Sequence, residues 1–166
     1  MLMIRKFFNH SAWHPSESQF YQALSRIPLH EQQTVLRFAY QQDVLCRLAG
    51  RLLARTLIVS LGQLDNISIS FDSAAFGKPI LRGHHKNVDF NISHDGDLTV
   101  VVLTTCGSCG VDVMRLELPG HENSVPSFLH KMRAVFSQSE LDVMLSANTD
   151  QEQIHTFYRF WVQEPR

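Results

Sequence analysis

The sequence predicts an α+β chain, and three observations predict it. Phe38, Leu45, Leu48, Ala49 and Leu52 recur at the i, i+3, i+4, i+7 spacing of a helix with one buried face. Ile67, Ile69 and Phe71, and later Val88, Phe90 and Ile92, alternate with polar residues at the period of a strand. Ile154, Phe157, Tyr158 and Trp161 return to helical spacing near the end of the sequence.

The first pattern predicts one helix from His30 to about Leu61, with Gly62 as its stop. Arg47, Arg51 and Arg55 recur every fourth residue and form a cationic row beside the apolar stripe. Such a row is either a solvated face with Asp43 as a salt-bridge partner or a set of phosphate contacts. After Asp65 a strand is expected over 67–71, then a loop through Phe76-Gly77-Lys78-Pro79 and Gly83-His84-His85-Lys86. Residues 88–103 read as a β-hairpin closed at Asp95-Gly96, with Asp89, Asn91 and Ser93 on the polar face and His94 where the turn begins. Gly110 to Met114 reads as a strand from which Asp112 emerges. Phe128, Met132 and Val135 suggest a short helix, and Ser137-Gln-Ser-Glu140 is a capping box opening another through Met144. The last helix is expected from about Asp150 to Gln163.

The 166 residues, 44% hydrophobic and 19% charged, have globular composition and form one domain or two small halves. Fifteen basic against 16 acidic side chains leave a net charge of -1, so no global field draws the chain to nucleic acid or an anionic membrane, and any phosphate site is local. The longest apolar run, 52–61, is too short and too interrupted to span a bilayer, and residues 1–10 lack a signal-peptide pattern. Three cysteines do not make a disulfide framework. A cytoplasmic protein is the expectation.

Several short motifs carry little alone. Cys106-Gly-Ser-Cys109 has redox or half-zinc spacing, but it joins two expected strands and has no second ligand pair. Ser93-His94-Asp95 contains triad residue types, yet strand neighbours point to opposite faces and no nucleophile elbow is present. Gly77-Lys78 lacks the remainder of a P-loop. Asp112, with Glu117, Glu122 or Glu164 brought near by folding, has the oxygen chemistry Mg²⁺ prefers.

Taken in order, the segments Ala49-Gly-Arg-Leu-Leu53, Phe76-Gly-Lys-Pro-Ile-Leu81, Phe90-Asn-Ile-Ser-His-Asp-Gly-Asp97, Gly110-Val-Asp-Val-Met114, Phe136-Ser137 with Glu140, and Phe157-Tyr-Arg-Phe-Trp161 resemble the surfactin-synthetase-type 4'-phosphopantetheinyl transferases. Among them the sequence resembles in particular the animal branch, the aminoadipate-semialdehyde dehydrogenase phosphopantetheinyl transferases. The resemblance implies a fold of two related α/β halves with antiparallel sheets, the first over about 1–108 and the second over 109–166, there cut short. It implies Mg²⁺-dependent transfer of the 4'-phosphopantetheine arm of coenzyme A to a serine of an apo acyl or peptidyl carrier protein. Carrier domains of fatty acid synthase and of aminoadipate-type reductases would be partners; nucleic acid and membranes would not. Arg51, Gly77, Lys78, Asn91, Ser93 and His94 would bind coenzyme A, and Asp112 would hold the metal.

The resemblance weakens at the end. The family follows its Phe-Tyr-x-x-Trp helix with Trp-x-x-Lys-Glu, whereas Glu164 stands here in the Lys position and Pro165 in that of the metal-binding Glu. Glu164 is taken, with Asp112, as the candidate catalytic and metal-ligating pair. The competing reading is a non-catalytic module that binds coenzyme A or a carrier protein. A thiol oxidoreductase using Cys106 and Cys109 ranks third and requires a thiol of depressed pKa.

Overall fold

The computed structural model describes residues 2–62, 64–74, 77–83, 87–118 and 122–161. They form helices with small antiparallel sheets, an α+β chain, in two compact units, Met1–Met114 and Arg115–Arg166.

In the first unit β1 (Met3–Asn9) is followed by α1 (Glu17–Leu24), α2 (Leu29–Val35) and α3 (Gln41–Ser60), then β2 (Phe71–Ser73), β3 (Pro79–Leu81), β4 (Asp89–Asp95) and β5 (Leu98–Thr104). The apolar run of β5 takes the central place, pairing antiparallel with β1 on one side and β4 on the other. The hairpin expected over 88–103 is present, with Asp95 opposite Leu98 and Gly96 at φ 55°, a left-handed conformation suited to glycine. Ala54, Leu57 and Ile58 of α3 close on Phe90, Val101 and Leu103 of the sheet to make the main core. Helix and sheet approach closely at Gly50, where a Cβ would lie 2.9 Å from Ile92 Cγ2. Leu24, Ile27, Val35 and Leu48 form a second cluster.

Four expectations are corrected. The helix over 30–61 is two helices, broken between Val35 and Gln41. The break lets Glu31 reach Arg55, which a straight helix would set about 36 Å away. The strand over 67–71 is a turn: Asp65 Oδ1 accepts the Ser68 N–H, Ile67 is 91% exposed, and β2 starts only at Phe71. The expected loop around Lys78 contains β3, paired with β2, with Pro79 as its first residue, where no ladder donor is needed. Residues 110–114 are extended without a backbone ladder, because their partners are side chains of β4. β1 and α1 were not foreseen; the Ser16-x-x-Gln19 capping box of α1 was a legible signal.

His10 shows how tightly β1 is tied to β5. Its Nε2 lies 2.7 Å from Thr99 Oγ1, and its backbone N–H donates to the Asp97 carbonyl. Burial lowers the His10 pKa against the opposing pull of Asp97. The unfolded chain, with His10 near its ordinary value of about 6.5, then binds the extra proton more readily than the folded one. The stabilisation is present above about pH 6.5 and is lost as pH falls toward the folded pKa. Thermal melts from about pH 7 down to about pH 5 should show a steeper fall in Tm for this protein than for His10→Gln; parallel falls would remove His10 as the source.

The second unit holds α4 (Val125–Lys131), a 3₁₀ turn at Met132–Ala134, α5 (Gln138–Leu145) and α6 (Asp150–Trp161). The expected capping box opens α5 with both reciprocal bonds, Ser137 Oγ to the Glu140 N–H and the Glu140 carboxylate to the Ser137 N–H. Phe128, Phe136 and Phe157 meet edge to face at the centre of its core. Among the described residues no helix is long and apolar enough to cross a membrane.

Candidate functional site

Residues of α2, α3, β2, the 77–79 segment and β4 line one cavity of about 610 Å³ in the first unit, a size ordinary for a small-molecule site. Arg51, Gly77, Lys78, Asn91, Ser93 and His94 all stand on its wall.

The three arginines of α3 do not form a uniform solvated row. Arg47 is exposed and lies over the Phe38 ring, 4.6 Å from its centroid. Arg55 is buried and donates to Glu31 Oε1, to the Ile69 carbonyl and to the carbonyl of Asn66. Arg51 lies between these extremes, its Nε 3.5 Å from Glu31 Oε2. Burial lowers its pKa and Glu31 opposes that effect. One carboxylate serves two guanidinium groups, and for Arg51 and Arg55 that carboxylate is Glu31 rather than the expected Asp43.

Lys78 follows Gly77, whose φ of 79° is left-handed. Lys78 Nζ donates to both carboxylate oxygens of Asp89 at 2.9 Å and to the Cys109 carbonyl at 3.3 Å. Burial works against ionisation of Asp89, yet the Cys109 N–H and the Lys78 ammonium hold its carboxyl below the usual range. His94 is half-buried; burial and the nearby Arg47 lower its pKa, against Asp43 and Asp95. An anion arriving beside His94 would favour its charged form.

Residues 109–113 run along β4 and donate alternate backbone N–H groups to alternate side chains. Cys109 N–H reaches Asp89 Oδ2 at 2.8 Å, Val111 N–H reaches Asn91 Oδ1 at 3.1 Å, and Val113 N–H reaches Ser93 Oγ at 3.1 Å. Ser93 Oγ in turn donates to Asp112 Oδ1 at 2.9 Å, so the exposed Asp112 is tethered to a cavity-lining residue. Ser93 therefore turns to Asp112, and the hydrolase arrangement of Ser93 with His94 is not formed.

The chain matches the family described as 4'-phosphopantetheinyl transferase, N-terminal, over residues 11–106. It belongs to the 4'-phosphopantetheinyl transferases. It is 32% identical to the L-aminoadipate-semialdehyde dehydrogenase-phosphopantetheinyl transferase of Rattus norvegicus over 162 residues, 95% of this chain and 52% of that protein. The Homo sapiens protein of the same name is 30% identical over the same shares. The 4'-phosphopantetheinyl transferase Sfp of Bacillus subtilis is 28% identical, covering 83% of this chain and 57% of that one. The chain thus spans about half the length of the curated relatives it matches.

Within this member of the family the sequence motifs converge: the six candidate coenzyme-contact residues share a wall, and Asp112 is bonded to one of them. Glu164 lies outside the described residues. Glu117 and Glu122 belong to the second unit; Glu122 pairs with Lys131 at 2.9 Å, and the Glu117 carbonyl accepts the Tyr158 hydroxyl. Among the described residues no three metal-ligating side chains cluster. A single carboxylate is still compatible with Mg²⁺, whose shell is usually completed by waters and substrate phosphates. Cys106 and Cys109 are free thiols, and burial with nearby Asp89 raises the Cys109 pKa, opposite to the shift a redox nucleophile needs. Glu31 and Asp89, which hold Arg51 and Lys78, were missed because a lone carboxylate in a sequence does not announce a cation brought to it by folding.

Proposed function

We propose that this chain binds coenzyme A in the cavity of its first unit and transfers the 4'-phosphopantetheine arm to a serine of an apo carrier protein. The observation that carries the reading is the convergence of Arg51, Gly77, Lys78, Asn91, Ser93 and His94 on that one wall. The names of its relatives, including the L-aminoadipate-semialdehyde dehydrogenase-phosphopantetheinyl transferases, support the same chemistry. Apo acyl carrier protein, or carrier domains of fatty acid synthase and aminoadipate-type reductases, are the acceptors proposed, and the cytoplasm the compartment. A division into two related halves, 1–108 and 109–166, is part of the same reading.

In the transfer, the serine O–H bond breaks, its proton passing to solvent, as the serine oxygen bonds to the pantetheine-bearing phosphorus. The bridging P–O bond breaks, and its electron pair leaves with adenosine 3',5'-bisphosphate. Arg51, less than fully neutralised by the Glu31 it shares with Arg55, supplies fixed positive charge to the phosphates, and Lys78, held by Asp89, supplies ammonium donors beside it. His94 adds charge when an anion draws a proton onto it. Asp112 would hold Mg²⁺, with Glu164 as a second ligand, and the metal when bound would neutralise charge on the diphosphate. The cavity wall fixes the diphosphate so that attacking and leaving oxygens lie in line.

Intact-mass spectrometry of an apo acyl carrier protein incubated with this chain, coenzyme A and Mg²⁺ should show the added mass of one phosphopantetheine. A version extended by a Lys-Glu helix end serves beside it. Transfer by neither chain would defeat the reading, and coenzyme A binding without transfer would return the non-catalytic module.

His94→Ala should weaken coenzyme A by about tenfold, the loss of one charge-assisted contact, and dephospho-coenzyme A much less. A larger loss for coenzyme A than for dephospho-coenzyme A is the result expected of a contact between His94 and the 3'-phosphate; equal losses in titration calorimetry would refute that contact.

A further inference from the structure

We infer that Asn91 and Ser93 are positioning residues, whose side chains fix where the Asp112 carboxylate stands. This rests on the transferase reading of the site and gives these two cavity-wall residues a second duty beside it.

The geometry is a ladder with one side-chain rail. Asp89, Asn91 and Ser93 alternate on the polar face of β4, a strand held by its register with β5. Their acceptor oxygens receive the N–H groups of Cys109, Val111 and Val113, so two segments of period two meet in register. Residues 109–113 lie outside any sheet ladder, and these bonds give their backbone donors protein partners. Asp112, between the last two rungs, is fixed further: its Oδ1 accepts from Ser93 Oγ at 2.9 Å and from the Val113 N–H at 3.0 Å. Oδ2 has no hydrogen bond among the described residues and is left to a hard cation and its waters. Outer partners that orient a ligating carboxylate typically govern metal affinity by about 10–100-fold. Asn91 Oδ1 accepts from Val111, and Ser93 Oγ gives its single proton to Asp112 while accepting from Val113, so the Ser93 hydroxyl points its donor at the carboxylate.

The test uses the full chain in three variants, Asn91→Ala, Ser93→Ala and Asn91→Asp. Amide hydrogen exchange at Val111 and Val113 reads the rungs. Paramagnetic broadening of the Asp112 and Val113 amides by Mn²⁺, with coenzyme A present, reads the metal position without transfer. Calorimetry in metal-free buffer reads coenzyme A binding. Asn91→Ala should speed Val111 exchange and Ser93→Ala Val113 exchange, each by about tenfold or more, and both should raise the Mn²⁺ concentration for half-maximal broadening about tenfold. Coenzyme A affinity in metal-free buffer should fall by less than the Mn²⁺ response does, a split that generalised loosening of the site would not give. Asn91→Asp keeps an acceptor for Val111 and should restore both slow exchange and the Mn²⁺ response. Broadening that Asn91→Ala and Ser93→Ala leave unchanged, or a tenfold loss of coenzyme A with exchange unaltered, overturns the inference. No broadening at Asp112 in the unsubstituted chain defeats the metal site on which it rests.

Discussion

Asp112→Ala should reduce Mg²⁺-dependent transfer by at least about 100-fold while leaving the fold intact, a loss on the scale of one preorganised group facing developing transition-state charge. The fold should survive because Asp112 is exposed and the N–H groups on either side keep their acceptors on β4. Asp112→Asn sharpens the experiment. Its amide oxygen still accepts from Ser93 Oγ and the Val113 N–H, so the local bonds persist while the charge is gone. If Asp112 acts as a metal ligand, Asn should be nearly as inactive as Ala; if its part is to hold the loop, Asn should transfer well. Metal-free buffer gives an independent sign. A carboxylate tethered to the cavity wall repels a diphosphate, so Asp112→Asn should bind coenzyme A as tightly as the unsubstituted chain or more tightly. Intact-mass time courses and calorimetry measure the two effects, and full transfer by Asp112→Asn would take Asp112 out of the metal site.

The residues of the candidate site were more legible in the sequence than their scaffold. The hairpin over 88–103 was readable because alternation and an Asp-Gly turn agree, and that hairpin carries Asn91, Ser93 and His94. The capping box of α5 was readable for the same reason: it is local chemistry. What was misread depended on distant partners. The apolar spacing of α3 ran smoothly back through Phe38, and nothing within 36–40 is a glycine or proline to mark the break that brings Glu31 to Arg51 and Arg55. Ile67 and Ile69 alternate like a strand, but the Asp65 side chain closes a turn and leaves Ile67 in solvent. Residues 110–114 have a strand's period because they do pair at every second residue, with side chains in place of a backbone ladder. Periodicity reports which residues face a partner and is silent on whether that partner is main chain or side chain.

Glu31→Ala should cost about 3–5 kcal/mol of folding stability, the usual penalty for removing one member of a buried ion pair. Glu31 and Arg55 are almost fully enclosed, at 3% and 2% exposure, so water cannot replace the lost carboxylate. Arg55 retains the Asn66 and Ile69 carbonyls and the Phe71 ring, 5.1 Å from its guanidinium, and these stabilise the cation without neutralising it. A domain of typical stability has only about 5–15 kcal/mol in total, so the variant should unfold at much lower urea. The double variant Glu31→Leu with Arg55→Met removes both charges and should recover most of the loss, because well-packed apolar replacement of a buried pair is often near neutral. Arg51 makes stability and function diverge. In either one Arg51 loses the carboxylate 3.5 Å from its Nε, so coenzyme A affinity should change even where stability is restored. Urea melts of the single and double variants, read with coenzyme A calorimetry on the stable one, separate the structural duty of Glu31 toward Arg55 from its duty toward Arg51. A cost below about 1 kcal/mol for Glu31→Ala would mean that the pair is hydrated in solution and that Arg51 is held by other contacts.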